Sequence, residues 1–375
     1  MTSTYLDYNA SAPLRVEART AMLDALADLG NPSSVHAAGR KARARVEKAR
    51  LQVARLVGRG PDSVIFTAGG TEANNLAIQS AVASGSRRLV VSAIEHDSVL
   101  EPARRAVAAT EIWPVTTAGL ADLDWLKAHL SNWTPDDGRP FVALMLANNE
   151  TGIIQPVAEA AELVHQAGGW LHVDAVQAAG KMALNMAETG ADSLALSAHK
   201  LGAPQGVGAL VFGPGSVMVR HQHGGGQERG RRAGTENVAG IAGFGAVAEL
   251  GIQSSPPAWR DAAARRLVTA GAIDVGAGCL RLDNTLCLVT PDYAADLQVM
   301  GLDLAGIMVS SGSACASGKV APSHVLAAMN LGDLAGNAIR VSGGFATTEE
   351  DWIRFADAWL ELYSRHQTRR HVSAA

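Results

Sequence analysis

Two apolar runs with a single lysine between them are the strongest constraint on how this chain can fold. Asp192-Ser193-Leu194-Ala195-Leu196 leads into Ser197-Ala198-His199-Lys200, and Leu201 to Gly208 leads into Ala209-Leu210-Val211-Phe212. Short apolar runs bounded by turn residues read as core strands, so the lysine sits at the joint between two of them. A lysine in that place is either a solvated loop charge or a reactive amine. For a lone lysine the first reading usually wins. Here Ser197 and His199 add a hydroxyl and an imidazole within three residues, and the glycines that follow let a bulky ligand approach the backbone.

An amine so placed can condense with an aldehyde, and pyridoxal phosphate (PLP) is the common protein-bound aldehyde. That cofactor makes three further demands: an acidic partner for the pyridine nitrogen, a stacking face for the ring, and amides with hydroxyls for the phosphate. The chain offers a candidate for each. Asp174 closes the strand-like run Trp170-Leu171-His172-Val173, at the carboxyl end where open α/β sheets hold ligands. It precedes Lys200 by 26 residues, about one strand–connection–strand unit. Burying its carboxylate is costly unless something pairs with it, and a pyridinium N–H would; the alternative is a helix N-cap. His96, after the strand Arg88-Leu89-Val90-Val91-Ser92, is either a satisfied loop histidine or an aromatic face for a ring. Val64-Ile65-Phe66, then Thr67-Ala68-Gly69-Gly70-Thr71-Glu72, then a helix expected from about Leu76 to Ala83, is the geometry that binds phosphate. Thr71 and Glu72 would otherwise simply begin a helix.

Composition narrows the class. The 375 residues can bury a large core, and a large plus a small domain is the natural division. Hydrophobic content of 47% with 18% charge is that of a globular protein. A net charge of −4 supplies no basic field for nucleic acid, and no apolar run reaches membrane-spanning length. The opening residues lack a basic n-region and an apolar h-region. Cys279, Cys287 and Cys315 are odd in number and lack metal-type spacing. A reducing, cytoplasmic setting without a metal site is therefore expected. Cys279 and Cys287 lie in apolar surroundings and are expected to be buried and inert. Cys315, flanked by small polar residues, is expected to be exposed.

The remaining stretches are read as follows. Val35 to Val57 is a long basic amphipathic helix whose arginines and lysines form a solvated face rather than a nucleic-acid patch. His223 to Thr235 is too rich in glycine and charge for a regular element; it is like the HGGG oxyanion loop of esterases, but the chain has no GxSxG nucleophile elbow. Ser254-Ser255-Pro256-Pro257 marks a domain boundary. Ala338-Ile339-Arg340-Val341-Ser342 is a strand whose arginine suits a bidentate clamp on a carboxylate, or else a surface salt bridge. The helical tail frays from Arg365.

Taken in order, Thr71-Glu72-Ala73-Asn74-Asn75, Glu95-His96, Asn148-Asn149-Glu150-Thr151-Gly152, Val173 to Gln177, Ser197 to Lys200, Arg229 to Thr235, Ser311 to Cys315 and Arg340 carry a resemblance. The chain resembles the cysteine desulfurases, in the class V branch of the fold-type-I PLP enzymes, from Tyr5 to about Leu362. The resemblance implies an α/β fold with a large mixed-sheet domain over 14–253 and a smaller α+β domain from 1–13 and 254–375. It implies a homodimer with composite active sites. Lys200 would carry the cofactor, Asp174 would pair with the pyridinium nitrogen, and His96 would stack on the ring and move protons. Gln177 and Asn149 would reach the phenolic oxygen and the bound amino acid. Gly70, Thr71, Ser197 and His199 would hold the phosphate, with Thr235 reaching it from the other subunit. Arg340, with Asn31 nearby, would take the carboxylate of L-cysteine. Cys315 would attack the substrate sulfur, leaving L-alanine and a persulfide for an acceptor such as an iron–sulfur scaffold protein.

The residues read by themselves support Lys200, Asp174 and the glycine–threonine loop, and do not single out cysteine as substrate. Three positions depart from the family pattern. Gly202-Ala203 stand where a bulky aromatic or histidine and then glycine are common, and Gln205 stands where lysine is common; these are expected to alter packing rather than chemistry. The chain after Arg340 is short for the long-loop branch that the Cys315 loop matches. Another class V enzyme (an aminotransferase, a β-lyase or a selenocysteine lyase) is the first alternative, and Cys315 separates it from an aminotransferase, which needs no thiol. A sulfur carrier without catalysis is the second, opposed by intact Lys200 and Asp174.

Overall fold

The computed structural model describes residues 3–106, 109–312 and 322–374, with side chains described as far as Arg370. The first strand, β1 (Thr4–Tyr5), is only two residues long. Seven strands follow: β2 (Val64–Thr67), β3 (Arg88–Ser92), β4 (Ala109–Trp113), β5 (Phe141–Ala143), β6 (Trp170–Asp174), β7 (Ser193–Ser197) and β8 (Gly208–Phe212). They form one sheet in the order β2-β8-β7-β6-β5-β3-β4. Only β8 runs against the rest. The reason is length: parallel neighbours need a crossover of about a dozen residues or more, and Ala198–Val207 is too short for one. Lys200 sits in that tight connection.

The strands β5, β6 and β7 are buried at every residue, as the apolar runs require of strands covered on both faces. Chain order reverses at β3, which has β4 on one side and β5 on the other. Crevices at such reversals open beyond the carboxyl ends of the strands, and His96, Asn149 and Asp174 all follow or close strands there.

Five further strands complete the chain: β9 (Ile273–Val275), β10 (Thr285–Val289), β11 (Ile307–Met308), β12 (Ser310–Ser311) and β13 (Ala338–Ser342). Four of them make an antiparallel sheet, β12-β13-β10-β9. The remaining one, β11, pairs in parallel with β1, and Asp7 bridges to Ser342. The opening residues therefore lie against the last third of the chain. Trp352, Phe355 and Trp359, on one face of the final helix, pack with Leu6, Leu286, Leu288 and Val341 in this second core.

Several elements differ from the sequence reading. The helix after β2 begins at Gly70, not Leu76, because Glu72 turns back to accept from the Ala68 N–H and closes the first turn. The last helix runs from Glu349 to Ala374 without fraying at Arg365; Arg365 pairs with Glu361 and Arg370 with Asp292. Cys287 is buried, but Cys279 is half-buried.

The basic helix Ala37–Leu56 is not solvated throughout. Arg50 is 2% exposed and grips Glu228, itself 5% exposed, with Nη1–Oε2 at 2.7 Å and Nη2–Oε1 at 2.9 Å. Glu228 also accepts from the Phe66 N–H at 2.8 Å. One ion pair thus ties the glycine-rich arm to β2. Removing one partner of such a pair leaves a buried charge uncompensated, at about 3–5 kcal/mol. Glu228→Gln should lower the unfolding free energy by that order in urea denaturation, and a loss below about 1 kcal/mol would show that water reaches the guanidinium.

Candidate active site

The carboxyl ends of β3, β5, β6 and β7, the segment Asn9–Ala10 and β13 enclose a cavity of about 860 Å³. Gly70, Thr71, Ser197 and His199 are among the residues lining it. His96, Asn149, Asp174, Gln177, Lys200 and Arg340 line it as well. Asn31 and Thr235 are both exposed and are not among the residues lining this cavity. Cys315 lies outside the described residues.

Asp174 is 6% exposed and held from both sides. Its Oδ1 accepts from the Val176 N–H and its Oδ2 from Asn74 Nδ2, at 2.9 and 2.8 Å. The second hydrogen of Asn74 Nδ2 goes to Ser98 Oγ at 2.8 Å. The Ser98 N–H can only donate, so its 3.0 Å bond to His96 Nδ1 makes that nitrogen the acceptor and puts the ring hydrogen on Nε2. On the other side Asn74 Oδ1 accepts from His172 Nε2 at 2.9 Å, and His172 Nδ1 accepts from Ser193 Oγ at 2.8 Å. Burial pushes His172 down to about 3, so its ring is neutral and suits this arrangement. Asn74 is thus the joint of the site. Sequence reasoning gave it no role of its own, and the only signal for it was its place one turn into the helix after the glycine loop.

The amine of Lys200 rests on the carbonyl oxygens of Asn9 and Ala10. Gln177 Nε2 donates to the same Asn9 oxygen at 2.9 Å. The helix Gly70–Ala83 points its first-turn amides into the cavity rim, where helices leave N–H groups without helical acceptors. A Cβ at Gly70 would lie 2.7 Å from Val176 Cγ2, so only glycine allows this close approach. Arg232 reaches from the glycine-rich arm to Glu72 in that turn, at 2.8 Å. Burial and Lys200 push His199 down to about 4, which leaves it a neutral hydrogen-bonding group.

Arg340 is buried, not a surface salt bridge. Its Nη2 donates to Asp7 Oδ1 at 2.9 Å and its Nη1 to the Asn149 carbonyl at 3.2 Å, while Nε has no partner among the described residues. Beside it Glu150 is 3% exposed and accepts from Ser323 Oγ at 2.5 Å. Burial pushes the Glu150 carboxyl from its ordinary 4.5 up to about 7, against the pull of Ser323 and Arg340. The folded value lies above the unfolded one, so folding favours the protonated acid. That stability is fully present below about pH 4.5 and is lost as pH rises through 7. Relative to wild type, Glu150→Gln should gain about 2–3 kcal/mol in urea denaturation between pH 5 and pH 8. A difference that does not change with pH would mean that the carboxyl ionises at its ordinary value.

Known proteins share this architecture. The family described as aminotransferase class-V matches residues 4–355. A cysteine desulfurase of Cereibacter sphaeroides is 42% identical over 371 residues, 95% of each chain. Cysteine desulfurase IscS of Dictyoglomus turgidum is 39% identical over 364 residues, 92% of this chain and 91% of that one. Among solved structures, a NifS-like protein from Rickettsia africae superimposes with a TM-score of 0.89 at 31% identity, covering 97% of this chain and 100% of the other. SspA in complex with cysteine superimposes with a TM-score of 0.80 at 27% identity, over 92% and 100%. The match takes in every strand described above and each residue lining the cavity, and the chain belongs to the class-V aminotransferase family.

Proposed function

We propose that this protein is a PLP-dependent cysteine desulfurase that takes sulfur from L-cysteine, releases L-alanine and leaves a persulfide on Cys315. One observation carries the reading: the Lys200 amine, the Asp174 carboxylate and the Arg340 guanidinium converge on one cavity from three separate parts of the chain. The residues present fit the cofactor. Gly69, Gly70 and Thr71 line the cavity at the start of a helix whose first-turn amides suit a phosphate, and Asp174 is a buried carboxylate already oriented by two donors. When bound, the cofactor supplies an electron sink for charge developing at the substrate α-carbon.

The chain's own residues do the rest. Asp174 holds a positive pyridine nitrogen, and Asn74 fixes the carboxylate that faces it. Lys200 is the group that attaches the cofactor and afterwards moves a proton at the α-carbon. His96 would stack on the ring and move protons, its imidazole oriented by the Ser98 N–H. Arg340, whose side chain lines the cavity, receives the substrate carboxylate. Cys315 Sγ attacks the substrate sulfur; the new S–S bond forms as the C–S bond breaks, and the carbon takes up a proton to become alanine. The strand β12 pairs with β13 at Ser310–Arg340, so the segment bearing Cys315 leaves from beside the carboxylate site.

In the same reading the protein is a homodimer in which Thr235, exposed and outside the cavity of its own chain, reaches the neighbour's phosphate site, while Asn31 belongs with Arg340 at the substrate carboxylate. The division into a large domain over 14–253 and a small one from 1–13 and 254–375 is supported by the pairing of β1 with β11. The relatives' names favour cysteine over selenocysteine as substrate, and transfer to an acceptor such as an iron–sulfur scaffold protein in the cytoplasm is part of the same reading.

Purified protein should be yellow, and borohydride should fix the cofactor to the peptide containing Lys200; a colourless protein that PLP cannot reconstitute would overturn the reading. Cys315→Ser should still show a spectral shift with L-cysteine yet lose nearly all alanine and sulfide production. Full alanine production by that variant would point to a β-lyase reaction instead.

A further inference from the structure

Four residues after Gln177 the chain buries a second lysine. Lys181 is 8% exposed, and its Nζ donates to Gln177 Oε1 and to Asn9 Oδ1, both at 2.7 Å. No carboxylate stands among the groups acting on it. Its charged neighbours, Lys200 and Arg340, are both cationic, and with burial they push its amine well below the ordinary lysine value. A neutral amine has two hydrogens, and Lys181 has two acceptors.

These contacts fix an amide. The Asn9 carbonyl can only accept, so the end of Gln177 that it meets at 2.9 Å is nitrogen. The end that meets Lys181 is then oxygen, and Lys181 is the donor that holds it. One hydrogen of Gln177 Nε2 is taken by Asn9, and the other is left for the cavity that Gln177 lines. We propose that Lys181 is a positioning residue: as a buried amine it keeps the Gln177 oxygen turned away from the cavity, so that Gln177 always presents N–H to an oxygen bound between Asp174 and Lys200. The inference rests on the cofactor reading above, in which that oxygen is the phenolic oxygen of the ring. Without Lys181 the Gln177 oxygen is a buried acceptor lacking its donor, and the amide gains a reason to rotate.

A hydrogen bond given to the phenolic oxygen stabilises its negative charge and weakens its hold on the neighbouring proton. The visible band of the bound cofactor should therefore titrate at lower pH with the bond than without it. The test is the midpoint of that band against pH, without substrate, in the cofactor-loaded protein. Lys181→Met should raise the midpoint by about 0.5–1 pH unit, the order expected for one hydrogen bond. Gln177→Leu should raise it equally, and the double variant should rise no further, since both changes remove the same bond. An unmoved or lowered midpoint in Lys181→Met, or additive shifts in the double variant, would overturn the proposal. Should Lys181→Met fail to fold, Gln177→Leu decides alone, because an unmoved midpoint there means that no N–H reaches the chromophore. A wild-type protein without a visible band overturns the cofactor reading and this inference with it. A titrating wild type with an unmoved Lys181→Met overturns the inference alone.

Discussion

The site depends on Asn9, a residue of the opening segment wedged between the two sheets. Its carbonyl accepts from Lys200 and Gln177. Its Oδ1 accepts from Lys181 and Asn284, and its Nδ2 donates to Thr285 and to the Asn149 carbonyl. Its N–H donates to Ser342 Oγ. Each bond contributes only about 1 kcal/mol net, but each group left unpaired here would cost about 1–3 kcal/mol. The asymmetry makes the Asn9 side chain hard to replace: losing it would take a partner from Lys181 and the Asn149 carbonyl on one side and from Asn284 and Thr285 on the other. Asp7, two residues earlier, does the same for Arg340 and Ser310.

A second economy concerns charge. The cavity holds Lys200, Arg340 and Asp174, and further buried ions around them would act on all three. The surrounding shell is instead largely neutral. His172 and His199 are driven to the uncharged form by burial, Glu95 and Glu150 are raised towards the acid, and Lys181 is lowered towards the amine. Neutral groups can form directed hydrogen bonds inside a low-dielectric wall without the desolvation cost of a buried ion. The run Trp170–Ser193–His172–Asn74–Asp174 is such a chain, with every donor matched to an acceptor.

Much of the architecture could be read from local pattern. The strands at Arg88–Ser92 and Ala338–Ser342 coincide with their apolar runs, and those at 193–197 and 208–212 fall within a residue of theirs. What local pattern missed is instructive. The helix start at Gly70 was misplaced because glycines argue for a loop, whereas Glu72 and the close approach to Val176 make them part of the first turn. Arg50 looked like one more solvated cation on a basic helix. Its burial follows from Glu228, 178 residues away, and no periodicity reports a partner at that distance.

By itself the sequence determined that an amine would stand between two core strands and a carboxylate at the end of a third, because strand length, turn residues and apolar runs are local properties of the chain. It also determined which stretches could carry phosphate-binding amides. Tertiary structure alone decided that Asn9 would join the layers, that Asn74 would orient Asp174 and that Lys181 would be buried as an amine against Gln177. Those choices concern polar side chains whose burial is tolerable only once distant donors and acceptors have met, and such meetings exist only in the folded chain.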